Sequence, residues 1–177
     1  MGPASRNLEL KARDADPEQS LKTCERLGAE GRGILRQRDV YFDVPKGRLK
    51  LRREDGAAAH LIAYERPDLP GQKESRYRIV ETADAPGLEE ALADTLGITA
   101  VVNKERRLFL FEGVRIHLDR VDGLGNFIEF EGVAGPGDLN LTRFEVPLIE
   151  LRNSFGIEDA DLIGESYCDL VLAATGL

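Results

Sequence analysis

From residue 48 to 52 the chain reads Arg-Leu-Lys-Leu-Arg. Successive side chains on a strand point to opposite faces, so Arg48, Lys50 and Arg52 share one face while Leu49 and Leu51 take the other. The same period of two runs through residues 7–13, 34–44, 48–53, 60–66, 75–81, 101–111, 114–121 and 126–132, which predicts eight strands. Turn chemistry separates them at Pro45-Lys46-Gly47, Asp55-Gly56, Glu112-Gly113 and Asp122-Gly123-Leu124-Gly125, so neighbouring strands pair as antiparallel hairpins and a parallel α/β sheet is disfavoured.

Helices fill the longer intervals. Asp16 followed by Pro17 marks a helix start, Leu21, Cys24 and Leu27 form one stripe, and Gly28 ends it. A second helix is predicted over 86–96 before Gly97. A third carries Leu141, Phe144, Leu148, Leu151 and Phe155, with Pro147 predicting a kink or a late start, and a last one runs from about 162 to 174. No repeat or long linker divides the 177 residues, so one α+β domain spanning 1–177 is expected. The Gly-rich pieces at 30–33 and 132–137 are expected to be loops.

Asp plus Glu number 32 against 24 Lys plus Arg, net charge −8, which argues against a nucleic-acid partner for the bulk surface. No run approaches the roughly 20 apolar residues of a membrane span, and the start lacks a secretory signal, so a cytoplasmic protein with no membrane partner is expected. Two cysteines and two histidines are too few for a disulfide scaffold or a zinc centre; a metal here is a hard cation on carboxylates. Cys24 and Cys168 read as core, His60 as exposed, and His117 and the tyrosines 41 and 167 as structural.

The polar face of nearly every stretch is charged: Glu9 with Lys11, Arg76 with Arg78, Lys104 with Arg106, Arg115 with His117 and Asp119, Glu129 with Glu131. A solvated outer face is one reading of such alternation. A solvated face usually mixes signs, however, and here the cations are sorted by strand while the acids gather at the first and last strands. If the sheet closes with this face inward, Glu9, Glu129 and Glu131 meet a wall of cations. That arrangement suits a linear polyphosphate, whose charges require Arg and Lys once out of water, with the acids holding Mg²⁺ or Mn²⁺.

The stretch Asn7-Leu8-Glu9-Leu10-Lys11 resembles the E-x-E-x-K signature of the CYTH superfamily, the triphosphate tunnel metalloenzymes that include class IV adenylyl cyclases and thiamine triphosphatases. Further stretches similar to its successive blocks lie at 39–43, 47–52, 64–68, 73–77, 115–119, 123–131 and 167–170. The resemblance implies an eight-stranded antiparallel closed barrel with helices packed outside. It also implies Glu9, Glu129 and Glu131 as metal ligands, Lys11 as the cation at the reacting phosphates, and Asp119 as a further catalytic acid. Lys50, Arg52, Arg66, Arg76, Arg78, Lys104, Arg106 and Arg115 would clasp the polyphosphate. Asn7 departs from the signature: an amide brings no charge, so metal binds more weakly or as one ion where two would fit, and an Asn there followed by Ala12-Arg13 resembles the cyclase-labelled branch. The leading expectation is therefore an adenylyl-cyclase-like reaction on a nucleotide. The alternatives are hydrolysis of an organic or inorganic triphosphate, turnover of another phosphorylated nucleoside, and a binding module without turnover. Helices on the barrel's outside suggest a homodimer.

Overall fold

The computed structural model describes residues 5–135, 137, 138 and 140–176; the remainder, including Pro136 of the expected 132–137 loop, lies outside the described residues. Each alternating stretch forms a strand: β1 (Ser5–Arg13), β2 (Glu30–Phe42), β3 (Arg48–Glu54), β4 (Ala59–Glu65), β5 (Lys73–Thr82), β6 (Ile98–Phe111), β7 (Val114–Val121) and β8 (Gly125–Ala134). Between β6 and β7 the chain reverses in two residues, Glu112 (φ 47°) and Gly113 (φ 79°), the left-handed pair that matches the twist of a tight hairpin. All pairings are antiparallel, and the order β1-β5-β4-β3-β2-β6-β7-β8 closes on itself because β1 also pairs with β8. Closure removes both sheet edges.

The apolar face of this barrel points outward, and the helices supply its cover. Helices α1 (Pro17–Arg26) and α3 (Glu145–Ser154) bring Cys24, Leu148 and Leu151 onto Leu10, Ile116 and Phe130. Helix α2 (Ala85–Leu96) lays Leu88, Leu92 and Leu96 on Val40, Phe42 and Leu51. Helix α4 (Tyr167–Thr175) packs Tyr167 and Cys168 against Val102 and Phe127. Each such side chain contributes about 1.5–3 kcal/mol on burial, so the stabilising core lies outside the barrel wall and leaves the interior available for polar groups. Gly132 of β8 shows how tight the cover is: a Cβ there would sit 2.3 Å from the Phe144 ring. The 132–134 part of the expected loop is therefore strand, kept small by Phe144.

Two further expectations change in the fold and a third is met in one of its two forms. Residues 30–33 begin β2 rather than forming a loop, with a register irregularity between Gly31 and Gly33. Pro147 brings the late start rather than the kink, α3 beginning only at Glu145. It lies in the first turn, where its missing N–H has no intrahelical partner to lose, and a 3-10 turn (Thr142–Phe144) precedes it. The last helix starts at Tyr167, not 162. Leu162 instead bridges Ala12, the Ile163 amide donates to the Lys11 carbonyl (2.9 Å), and Lys73 Nζ donates to the carbonyls of Ile163 (3.1 Å) and Gly164 (2.9 Å). This segment crosses one end of the barrel and closes it. Among the described residues no helix is long and apolar enough to cross a membrane.

Candidate active site

Inside the barrel lies a cavity of about 350 Å³, within the usual range of small-molecule sites. Seven Lys or Arg side chains and four glutamates line it, so the interior is net positive in a chain of net charge −8. It is graded along its axis. Lys11, Lys104, Arg106 and Tyr167 are nearly inaccessible at the closed end, 3–6% exposed. Half-buried Leu35, His60, Tyr77 and Leu108 and exposed Ile79 line the outer part.

At the deep end the cations are held by carboxylates set behind them. Asp39, 1% exposed, accepts two hydrogen bonds from Arg52 (2.7 and 2.6 Å) and one from Lys50 (2.9 Å). Burial works against its charge, but Arg52, Lys50 and Lys104 hold it well below the usual carboxylate range. Asp119 grips Arg106 in the same fork (2.7 and 2.6 Å) and accepts from the Tyr167 hydroxyl (2.9 Å). The lysines are less well compensated. Burial, with Arg106 and Arg52 adding repulsion, brings Lys104 down to about 7, and burial beside Arg52 brings Lys50 to about 8. Lys11 is lowered by burial against the opposing pull of Glu129. An anion arriving here would restore their charge.

Three of the four glutamates, Glu9, Glu129 and Glu131, line one wall, as β1 and β8 require, and the fourth, Glu54, ends β3. Glu9 faces Glu131 across the ladder and Lys11 faces Glu129, so the side chains of each pair start only about 4.5–5.5 Å apart. They do not stand apart from the cations. Arg66 pairs with Glu9, Lys11 (3.3 Å) and Arg106 (2.6 Å) with Glu129, and Arg115 (3.5 Å) with Glu131. His117, its protonation disfavoured by burial, lies 3.4 Å from Glu129 and orients it. Among the described residues no three acidic, imidazole or thiol groups form a ready-made metal cluster. Asn7 nevertheless bears on the metal. Its amide donates to Glu131 (2.5 Å) and Glu9 (3.4 Å), while its Oδ1 is buried with no hydrogen-bond partner. An orphan oxygen beside two facing carboxylates is the donor set of a hard cation, and these residues fit Mg²⁺ or Mn²⁺.

Eleven of the thirteen site residues taken from the sequence therefore gather in or directly behind the cavity, and two do not. Arg76 and Arg78 are exposed on the outside of β5, whose inward residues are Ser75, Tyr77 and Ile79. Polar residues occupy both faces of β5, so alternation could not choose between them. Asp119 is 2% exposed behind Arg106, a support for that guanidinium rather than an acid facing the cavity. Arg115 stands at the outer end, its side chain 48% exposed. His60 lines the outer cavity instead of facing solvent. Sequence reasoning missed Asp39, Lys73 and Tyr64. Asp39 was accessible in principle, since Gln37, Asp39 and Tyr41 alternate as the other strands do. Lys73 was not, because it follows a loop that hides the register of β5.

A closed antiparallel barrel with a cation-lined, acid-edged interior is a tunnel whose lining is complementary in charge to a polyanion. The chain belongs to the CYTH domain family, whose model matches residues 5–167. It is 23% identical over 173 residues to a Methanocaldococcus jannaschii protein named "Putative adenylate cyclase", covering 92% of this chain and 97% of that one. Among solved structures, a conserved hypothetical protein of Pyrococcus furiosus is 23% identical with a TM-score of 0.80, over 93% of this chain and 99% of that one. A Hippeastrum protein, described as a putative adenylyl cyclase with a dominant triphosphatase activity, is 16% identical with a TM-score of 0.63, over 97% of this chain and 96% of that one.

Proposed function

We propose that this protein is a divalent-metal-dependent enzyme acting on the phosphoanhydride chain of a nucleotide, with conversion of ATP to cyclic AMP and pyrophosphate as its specific reaction. The observation that carries this reading is the row of buried cations at the closed end, where burial and the neighbouring Arg52 and Arg106 push Lys50 and Lys104 toward neutrality until an anion enters. Lys11, Lys50, Arg52, Lys104 and Arg106 bind and align the phosphates, and Arg66, with two buried N–H groups unpaired, has donors left for another. Glu9, Glu129 and Glu131, with Asn7 Oδ1, would hold the Mg²⁺ or Mn²⁺. That ion supplies Lewis-acid polarisation of a phosphoryl oxygen. Lys11 and Arg106 carry the charge that develops on the departing pyrophosphate. Leu35, Ile79 and Leu108 favour a substrate with an organic group over inorganic tripolyphosphate, because bare phosphate gains nothing from an apolar wall.

Hydrolysis of a triphosphate is the second reading. It uses the same residues with water as nucleophile, and the Hippeastrum neighbour's described activity favours it. Incubation with ATP, thiamine triphosphate and tripolyphosphate, each with Mg²⁺ or Mn²⁺, followed by separation of products, decides between them. Cyclic AMP with pyrophosphate supports the cyclase and orthophosphate the hydrolase. Tight binding with no product leaves the tunnel as a binding module, the outcome that the missing charge at Asn7 favours.

A further inference from the structure

Tyr167 opens α4 outside the barrel wall, yet its ring reaches the closed end of the cavity. Lys11 Nζ lies 4.0 Å from the ring centroid and Lys104 Nζ 4.9 Å. The hydroxyl donates to Asp119, which holds Arg106 with both oxygens. The ring itself is fixed edge-to-face on Phe127, centroids 5.1 Å apart. The start of α4 is locked in turn by reciprocal bonds between Ser166 and Asp169.

We infer that Tyr167 is a positioning residue for the polyphosphate: one side chain from α4 sets the direction of three cations contributed by β1 and β6. The inference rests on the triphosphate reading above and goes beyond it. A lysine is a flexible point charge, and a bound phosphate gains most from it when its rotamer is settled beforehand. The π-face of Tyr167 settles two of them at once, with Lys11 and Lys104 both nearly inaccessible. Simple packing needs neither the hydroxyl nor two ammonium groups over one ring.

The test is calorimetric titration of inorganic tripolyphosphate in Mg²⁺ buffer, with thermal unfolding recorded for every variant. Tyr167→Phe, which keeps the ring and loses the hydroxyl, should weaken binding about 3- to 10-fold. Tyr167→Leu, which loses both, should weaken it about 30- to 100-fold. The Tyr167→Phe loss should largely vanish in an Asp119→Asn background, because the two act on Arg106 through one link. Cys168→Ala, beside Tyr167 on α4 but touching none of the three cations, should leave affinity within about threefold. Wild-type affinity in Tyr167→Leu, or an equal loss in Cys168→Ala, would overturn the inference. If Tyr167→Leu fails to fold, unchanged affinity in Tyr167→Phe does so alone. Failure of the wild-type protein to bind either tripolyphosphate or ATP would instead overturn the triphosphate reading.

Discussion

Replacing Asp39 by Asn tests whether the tunnel is a strained cage for an anion or an ordinary folded interior. Asp39 is 1% exposed and its two oxygens are bonded to Arg52 and Lys50, with Lys104 at 4.0 Å. Asn conserves volume but leaves those cations without a counter-charge. Removing one partner of a buried pair costs about 3–5 kcal/mol, a large part of the roughly 5–15 kcal/mol that holds a domain together. For a chain of this length that corresponds to a fall in Tm of about 6–20 °C. The lysines set the range. At about 7 for Lys104 and about 8 for Lys50 they already hold their protons weakly, and without Asp39 both release them near neutrality. The loss should therefore be larger at pH 6 than at pH 8. Urea unfolding followed by circular dichroism measures it. Added tripolyphosphate should shrink the deficit, since the variant's cavity has one more uncompensated positive charge for the anion to meet. A loss below about 1 kcal/mol at pH 6, or a deficit that the anion does not reduce, would refute the reasoning.

In the wild-type protein, Lys104 and Lys50 titrate lower in the fold than the 10.5 of the unfolded chain, so the folded state binds fewer protons from about pH 7 to 10. Ligand-free stability should rise with pH in that window, by at most about 1.4 kcal/mol per unit for each proton, while tripolyphosphate affinity falls; unfolding and titration at pH 7 and 9 check both signs. Lys11→Met should reduce turnover at least about 100-fold with Tm within a few degrees of wild type, because the burial penalty on the ammonium disappears with it; steady-state kinetics beside a thermal melt measures both. Gly132→Ala should destabilise by about 1–3 kcal/mol through collision with Phe144, and adding Phe144→Leu should lessen the increment; urea midpoints test the pair.

Much of the architecture is legible in the chain because a strand's period of two leaves its mark on every residue. All eight strands appear where alternation places them, and Glu9, Lys11, Lys50, Arg52, Lys104, Arg106, Glu129 and Glu131 point inward as that pattern requires. Alternation fails where it is ambiguous. On β5 both faces carry polar residues, so the pattern points to Arg76 and Arg78 where the structure turns Ser75 and Tyr77 inward. The run from about 162 to 174 is apolar enough overall to read as one helix, yet the backbone of Leu162, Ile163 and Gly164 is taken by Ala12, Lys11 and Lys73, partners that lie about 90 to 150 residues away.

The sequence alone determines which side chains share a face, because the pleat is local and each residue's direction follows from its neighbours. Whether that charged face is wetted on an open sheet or enclosed depends on β1 meeting β8, and no local propensity encodes that pairing across more than a hundred residues. The pairing sets Glu9 against Glu131 with the Asn7 amide nitrogen bonded to both and its Oδ1 left buried without a partner, and closure puts Asp39 and Asp119 behind the cations they restrain. Those are contacts between distant segments. They arise only once the barrel has closed and α4 has set Tyr167 against its end.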